Sequence, residues 1–161
     1  MLVLSKGCKD GDLRNMKICL VCSHGGHLTE MLALKEAFEG HEIFFITYES
    51  PRTQSLERKY LLQNIGTSPL LMARAFLSTF RILLKEKPRL IVSTGSEIAI
   101  PAFYLAKFLR MKTIFIETWT RLTEPSGTGK LVYPVADVFL VQWKALLAKY
   151  GKKAKYEGAI I

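Results

Sequence analysis

Short apolar runs that alternate with helix-forming segments constrain the fold of this chain more than any other feature. Five runs of four to six residues are typical of buried strands, at 17–22, 42–47, 89–93, 112–116 and 138–141. Helical patterns lie between and after these runs, at 27–39, 53–62, 69–87, 98–110, 127–135 and 143–150. A weaker strand is predicted near 61–65, and a last extended segment is predicted at 156–161. This alternation predicts an α/β fold, a Rossmann-like parallel sheet with helices on both faces.

The length of the chain, 161 residues, fits one domain. Met16 directly precedes the first predicted strand, so we expect a flexible N-terminal extension at 1–15 and a single domain at 16–161. No apolar run reaches the roughly 18–20 residues that cross a bilayer, and the N-terminus lacks the apolar segment of a signal peptide. We therefore expect a soluble or peripheral chain that stays in the cytoplasm.

The chain is strongly basic, with 23 Lys and Arg against 14 Asp and Glu and a formal net charge of +9. Such a balance indicates an acidic partner: phosphates, anionic lipid headgroups or nucleic acid. The charge alone does not choose among these partners. The sequence contains neither a recognition helix nor an aromatic RNA-binding platform, so nucleic acid is not the expected partner.

Two of the three cysteines, Cys19 and Cys22, have the spacing of a redox or metal-binding pair. They fall within a predicted strand, however, where a separation of three residues sends side chains to opposite faces of the sheet. Redox pairs of this spacing lie at a helix N-terminus instead. We therefore expect buried, reduced thiols and no metal site; the third cysteine is Cys8.

A glycine-rich loop follows the first predicted strand and opens the first predicted helix. Gly25 and Gly26 let the backbone approach an anion closely, and unpaired N–H groups at a helix start attract negative charge. With Ser23 they form a candidate cradle for a diphosphate. His27 follows, where an imidazole can accept a proton from a hydroxyl nucleophile. A tight turn without a ligand and a purely structural histidine are alternatives that the spacing leaves open.

Two further polar loops follow predicted strands. Ser96 closes the Ser-Thr-Gly-Ser stretch at 93–96, whose hydroxyls and glycine suit a phosphate or a sugar at a helix N-terminus. Simple capping of that helix fits the same pattern. Glu117 and Arg121 follow the strand at 112–116. A carboxylate there can bind sugar hydroxyls or hold a base in place, and a guanidinium can pair with phosphate oxygens.

The helix predicted at 69–87 carries a basic stripe. At about 100° per residue, Arg74, Ser78, Arg81 and Lys85 fall on one narrow face. That face is flanked on one side by Leu70, Leu77 and Leu84, and on the other by Leu71 and Ile82. A basic stripe with apolar borders suits an anionic membrane surface. A core helix with a solvated charged edge is the alternative.

The motifs around these candidates resemble those of Alg14-like oligosaccharide biosynthesis proteins, including the bacterial capsule and exopolysaccharide subunits of the PssD and CpsF type. The resemblance rests on Ser-x-Gly-Gly-His-Leu-Thr-Glu at 23–30 and on Ser-Thr-Gly at 93–95 followed by Pro101. It is strongest at 117–143, which reads Glu-Thr-x-x-Arg, then Ser-x-Thr-Gly-Lys-x-x-Tyr-Pro-x-Ala-Asp, then Val-Gln-Trp. The similar region extends over 17–158.

This resemblance implies the N-terminal half of a GT-B fold, in the acceptor-binding and membrane-recruiting subunit of an inverting glycosyltransferase. An Alg13-like partner would hold the donor UDP-sugar, UDP-GlcNAc or a relative, so this chain would be inactive alone. The implied acceptor is a polyprenyl- or dolichyl-diphosphate-linked sugar of lipid-linked oligosaccharide or polysaccharide biosynthesis. The implied location is peripheral, on the cytoplasmic face of a membrane, and neither a cofactor nor a metal ion is implied.

The resemblance also places His27 at the position of the base, the glycine loop at the diphosphate and the basic helix at the membrane. Together with the residue patterns it gives a hypothesis for three sets of side chains. The catalytic candidates are His27 and Glu117. The candidates for the acceptor diphosphate are Ser23, Gly25, Gly26, Ser96 and Arg121. The membrane-surface candidates are Arg74, Arg81 and Lys85. A non-catalytic scaffold that anchors and activates the catalytic partner is the alternative function.

Overall fold

The computed structural model describes residues 15–160, so the predicted extension at 1–15, apart from Asn15, lies outside the described residues, as does Cys8. Seven strands are formed within these residues: Lys17–Val21 (β1), Glu42–Tyr48 (β2), Lys59–Leu62 (β3), Leu90–Ser93 (β4), Lys112–Ile116 (β5), Val138–Leu140 (β6) and Ala154–Lys155 (β7). The described part of the chain also forms six α-helices: Gly26–Ala33 (α1), Pro51–Gln54 (α2), Pro69–Glu86 (α3), Ala99–Phe108 (α4), Gly127–Val132 (α5) and Ala145–Tyr150 (α6).

The seven strands form one sheet in the order β3-β2-β1-β4-β5-β6-β7, and every neighbouring pair is parallel. Helix α1 packs on one face, while α3, α4, α5 and α6 contribute to the core on the other. The predicted Rossmann-like parallel sheet with helices on both faces is therefore confirmed. Among the described residues, no helix combines the length and the apolar character that a membrane crossing requires.

The strand β1 shows why the sheet is apolar on both faces. Cys19 and Val21 belong to the core beneath α3 and α4, whereas Ile18, Leu20 and Cys22 belong to the core beneath α1. The prediction that Cys19 and Cys22 point to opposite faces is confirmed, and both are buried free thiols. Burial raises the pKa of both, that of Cys22 to about 12, so neither is a reactive thiolate at neutral pH.

The predicted helix at 53–62 is wrong. Ser50 and Thr53 exchange hydrogen bonds in a capping box at 3.2 and 2.9 Å, but the helix that they start ends at Gln54. Residues 59–62 instead form the edge strand β3, which pairs with the far half of β2. The hydrogen bonds of that pairing, together with burial of Leu62, override a weak local helix preference.

Most of the other boundaries differ from the prediction by one to three residues, and two elements differ in kind or position. The first predicted helix, 27–39, ends as an α-helix at Ala33 and continues as a 3₁₀ turn over Lys35–Phe38. The last extended segment was predicted at 156–161, but β7 lies two residues earlier and is only two residues long.

The long helix α3 agrees with its prediction within one residue. Ser68 caps its start by accepting a hydrogen bond from the N–H of Leu71 at 3.4 Å, and Pro69 occupies the first position. At its other end, Glu86 is almost buried and accepts from Lys17 Nζ at 3.0 Å, Arg58 at 2.9 Å and Tyr60 Oη at 2.5 Å. These bonds fix α3 to β1 and to the edge strand β3.

Candidate active site

The glycine loop, His27 and Ser96 meet where the strand order reverses. From β1 the chain continues to β2 on one side, while β4 lies on the other side, so a crevice opens at the carboxyl ends of β1 and β4. In open parallel sheets this point binds ligands. The loop after β1 carries Gly25, Gly26 and His27, and the loop after β4 carries Ser96.

The glycine loop leaves the start of α1 uncapped. Gly25 has a φ of 85°, which favours glycine, and no side chain caps the helix. The first N–H groups of α1 therefore remain available to an anion, at the positive end of the helix dipole. The carbonyl of Gly25 accepts from Thr29 N at 3.1 Å and from Arg52 at 3.3 Å, which holds the loop in place. The nearly buried Ser23 hydroxyl donates to the carbonyl of His24 at 3.3 Å.

His27 is half-buried and bonded to the loop after β4. Its Nδ1 lies 2.9 Å from the carbonyl oxygen of Thr94, and the Thr94 hydroxyl donates to the His27 carbonyl at 2.8 Å. A carbonyl can only accept, so Nδ1 carries the proton in the neutral ring, and Nε2 keeps its lone pair. Gly95 allows this contact, because a Cβ at that position would lie 2.8 Å from Cε1 of His27.

Several neighbours set the pKa of His27. Burial lowers it below the ordinary value, and the positive charge of Arg121 acts in the same direction. The Thr94 carbonyl and the charges of Glu117 and Glu97 oppose this effect without overcoming it. His27 is therefore a neutral imidazole at neutral pH, the form that can accept a proton.

Glu97 is a site residue that the sequence analysis did not identify. Its carboxylate accepts from Tyr48 Oη at 2.9 Å and from Ser96 Oγ at 2.5 Å. Burial alone would raise the pKa of Glu97, but these bonds and one from its own backbone lower it, so the group is ionised. Ser96 itself has a φ of 71°, an uncommon conformation for a residue other than glycine. Tyr48 comes from β2, far away in sequence, and no local pattern links it to Glu97.

Glu117 lies beneath the crevice, with no exposed surface. One oxygen accepts from the backbone of Thr118 at 3.1 Å, and the other from Ser126 N at 3.1 Å, Ser126 Oγ at 2.9 Å and Tyr150 Oη. The structure therefore does not bring Glu117 to the surface beside His27. Its predicted catalytic role stays a prediction, and the bonds show a side chain that orders the loop before α5.

A second buried carboxylate, Glu30, was also missed. It has no exposed surface and accepts from the Thr118 hydroxyl at 2.6 Å and from Gln142 Nε2 at 3.0 Å. The same Gln142 nitrogen donates to the carbonyl of Glu117 at 3.1 Å. The side-chain oxygen of Gln142 accepts from Ile160 N at 2.9 Å. Glu30 and Gln142 both lie in the motifs of the sequence resemblance, which was the available signal.

The remaining predicted residues divide between two places. Arg121 is exposed, and it lies close enough to His27 for its charge to lower the pKa of the imidazole. Arg74, Arg81 and Lys85 lie instead on the exposed side of α3, and Lys85 stacks over the ring of Tyr60 at 5.5 Å. Within residues 15–160, no group of three His, Cys, Asp or Glu side chains is placed to hold a metal ion.

The outer face of α3 is both basic and apolar. Leu70, Leu77 and Leu84 are 63%, 50% and 44% exposed and follow one another at intervals of two turns. The opposite face of α3 packs into the core through Ala75, Thr79, Ile82 and Leu83. The helix is therefore a core element on one side, and on the other it presents exposed leucines beside exposed arginines.

The fold and its crevice define the class: the chain resembles one half of a GT-B protein. The structure of MurG from Acinetobacter baumannii matches 87% of this chain and 45% of its own, with a TM-score of 0.71 and 16% identity. The structure of UDP-GlcNAc 2-epimerase from Methanocaldococcus jannaschii matches 89% of this chain and 46% of its own, with a TM-score of 0.71 and 14% identity. The chain thus spans about half the length of either structure, and these likenesses show the fold.

The family follows from sequence. The model of the family described as "Oligosaccharide biosynthesis protein Alg14 like" matches residues 56–160, so the chain belongs to that family. It is 29% identical to the "UDP-N-acetylglucosamine transferase subunit ALG14" of Debaryomyces hansenii, over 93% of this chain and 78% of that protein. It is 24% identical to the Saccharomyces cerevisiae protein of the same name, over 91% of this chain and 77% of that protein. The resemblance inferred from the motifs is confirmed.

Proposed function

We propose that this chain is the acceptor-binding and membrane-recruiting subunit of a two-component UDP-GlcNAc glycosyltransferase. One observation carries the proposal: at the switch point of the sheet, the Nε2 lone pair of His27 lies beside the uncapped start of α1. A base next to an anion-binding helix start suits an acceptor that carries both a hydroxyl nucleophile and a diphosphate. The names of the fungal relatives support the donor sugar.

The acceptor in this proposal is a polyprenyl- or dolichyl-diphosphate-linked sugar. Its diphosphate lies at the Gly25–Gly26 loop, where the N–H groups of α1 bind it and Ser23 supports the loop. Ser96 and Arg121 line the crevice beside it, and Arg121 contributes a charge-assisted contact to the phosphate oxygens. Glu117 acts indirectly, because its bonds order the loop that carries Arg121.

The reaction is a single displacement with inversion. The acceptor oxygen forms a bond to the anomeric carbon of the UDP-sugar, and the bond from that carbon to UDP breaks, so UDP leaves with the electron pair. The acceptor proton passes to Nε2 of His27. An Alg13-like partner supplies the donor site, which is why the chain is inactive alone. The residues of this chain supply acceptor binding and proton removal.

The outer face of α3 supports recruitment to the cytoplasmic face of a membrane. Arg74 and Arg81 have no ion pair among residues 15–160, so their charges are free to meet anionic headgroups. The exposed leucines Leu70 and Leu77 border them and can enter the boundary between headgroups and acyl chains. The chain in this proposal is peripheral.

The test is a sugar-transfer assay with a polyprenyl-diphosphate sugar and labelled UDP-GlcNAc, with and without the Alg13-like subunit. We expect transfer only when both subunits are present, because the donor site belongs to the partner. His27→Ala should then lower turnover by about 10²–10⁴-fold without separating the subunits, since it removes the general base. His41→Ala is the control, because His41 lies at the opposite edge of the sheet, near Met16. Unchanged turnover of His27→Ala would contradict the assignment.

A non-catalytic scaffold that anchors and activates its partner is the second candidate. The burial of Glu117 favours it, because that carboxylate has no exposed surface and already accepts hydrogen bonds from Thr118, Ser126 and Tyr150. A scaffold does not need the His27 side chain, so the same variant distinguishes the two candidates.

A further inference from the structure

A groove of about 270 Å³ lies between the end of β3 and the outer face of α3. Its polar lining comes from Arg74, Ser78 and Arg81 on the helix and from Gln63 after the strand. Its apolar wall is formed by Leu62, Leu71 and Leu77. Among residues 15–160, no acidic side chain lines this groove, so its described lining does not neutralise the two arginines.

The two guanidinium groups are available to a ligand. Arg74 and Arg81 are exposed and make no hydrogen bond or ion pair with another of residues 15–160. The nearest carboxylate on α3, that of Glu86, is already shared by three donors from other elements. Arg74 and Arg81 lie two turns apart, roughly 10 Å along the helix axis, with Ser78 between them. Two arginines with a hydroxyl between them form a set of donors that suits a phosphate group.

The leucines narrow the choice of ligand. A free phosphate or a nucleotide has no acyl chain to cover the leucines that line this groove. Leu77 lines the groove and is 50% exposed, and Leu70, one turn before Arg74, is 63% exposed. We propose that this groove binds the phosphate headgroup of one anionic phospholipid, with an acyl chain against the leucines of α3. The inference rests on the proposed membrane recruitment and adds a discrete site to what would otherwise be diffuse attraction.

The position of the groove relates the bound lipid to the crevice. Gln63 directly follows β3, so the groove opens at the carboxyl edge of the sheet, the edge that also carries the glycine loop. The order β3-β2-β1 places the strands that precede the two sites two positions apart, roughly 10 Å across the sheet. A headgroup held between Arg74 and Arg81 would therefore fix the height of His27 above the membrane surface.

The experiment titrates the full chain with short-chain phosphatidic acid below its micelle concentration and follows the leucine methyl groups by NMR. The Arg74→Gln/Arg81→Gln variant removes the donors. The Lys35→Gln/Lys152→Gln variant is the control, because it removes the same charge from exposed lysines elsewhere. Ser78→Leu fills the groove and keeps both arginines, on a helix position where leucine is well tolerated. Inorganic phosphate is titrated in parallel.

We expect the native chain and the lysine control to bind the lipid. The arginine variant should bind at least about tenfold more weakly, because it loses one or more charge-assisted bonds. Ser78→Leu should weaken binding by a similar factor, because the leucine side chain occupies the groove. Inorganic phosphate should bind more weakly than the lipid, since it has no acyl chain. Equal affinity for inorganic phosphate would overturn the lipid assignment.

Measurements of vesicle binding distinguish a failure of the proposed lipid site from a failure of the proposed function. Suppose that Ser78→Leu binds the short-chain lipid as tightly as the native chain does, and that vesicle binding depends only on net charge. The proposed lipid site in the groove is then wrong, while the proposed recruitment to the membrane is retained. Sugar transfer measured with a water-soluble acceptor tests the proposed reaction independently, because that assay contains no membrane.

Discussion

The proton position on His27 follows from one carbonyl group. Because the Thr94 carbonyl accepts from Nδ1, the other nitrogen keeps its lone pair, and the packing of Gly95 against the ring holds that orientation. Glu97, Glu117 and Arg121 then act on the ring through their charges. At the residue scale, the chemistry of this site depends on which side chains surround the imidazole.

The lowered pKa of His27 predicts the pH dependence of the reconstituted pair. Burial lowers the pKa, so the base form persists below the ordinary histidine value of about 6.5, and activity falls only as the pH drops through the lowered value. The measurement is kcat/KM across pH. The prediction would be contradicted if kcat/KM fell with an apparent pKa at or above the ordinary histidine value and this fall disappeared in His27→Asn.

Glu97→Gln should lower the pKa of His27 further. The charge of Glu97 favours the protonated ring, and glutamine keeps a side chain of the same shape without that charge. The measurement is an NMR titration of the His27 ring, which needs no activity. Glu124→Gln is the control, because Glu124 is exposed and pairs with Lys149. A pKa that moves equally in both variants would remove Glu97 from the surroundings of His27.

Gly129→Ala should lower the free energy of unfolding by about 1–3 kcal/mol, the usual cost of overpacking. A Cβ at Gly129 would overlap Tyr150 Oη and Glu117 Oε2, which bond to each other. Gly127→Ala is the matched control in the same helix, since a Cβ there meets no atom within 4 Å. Urea denaturation gives both values, and similar midpoints for the two variants would show that the cluster tolerates the methyl group.

At the element scale, much of the sheet could be predicted because its strands are buried on both faces and therefore read as continuous apolar runs. Helix α3 could be predicted from its period and from Pro69 at its start. The edge strand β3 could be predicted only in part, as the weaker strand near 61–65, because its pairing with β2 competes with the local helix pattern predicted at 53–62. The predicted loops were located correctly, but the partners of Glu97 and Glu30 lie far away in sequence.

Glu86→Gln should lower the free energy of unfolding at neutral pH by on the order of 1 kcal/mol for each charge-assisted bond that is lost between α3 and the sheet. The hydrogen bond from Tyr60, with the bonds and charges of Lys17 and Arg58, lowers the pKa of Glu86. The stabilisation is therefore present above the unfolded value of about 4.5 and disappears as the pH falls through the lowered value.

The measurement is thermal unfolding of the native chain and Glu86→Gln at several pH values. The difference between them should be largest near neutral pH and should vanish in acid. A constant difference would indicate lost packing instead of lost charge. Glu49→Gln is the control, because the Glu49 carboxylate makes a single exposed contact, with Gln54.

At the scale of the whole molecule, the net charge of +9 agrees with an acidic partner but does not identify it. The sequence predicted the fold class and the family, and the matches confirm both. It also predicted the basic stripe, because helical spacing fixes which residues share a face. It could not predict the groove, whose other wall comes from the end of β3.

Vesicle binding should weaken as salt rises, because exposed charges are screened within about 8–10 Å at physiological ionic strength. Sedimentation with anionic vesicles at increasing salt measures this. Arg74→Gln/Arg81→Gln should show a shallower salt dependence than the native chain. Binding that does not respond to salt would mean that the leucines, not the arginines, dominate.

The shortness of the two outermost strands has a consequence for storage and expression. The strand β3 has four residues and β7 has two, so each rim of the sheet offers few backbone groups to another molecule. Fibril growth by strand addition needs a long, flat rim. If concentrated samples of this chain self-associate, we expect the contact to form through the leucines of α3, and mild detergent, not denaturant, to reverse it.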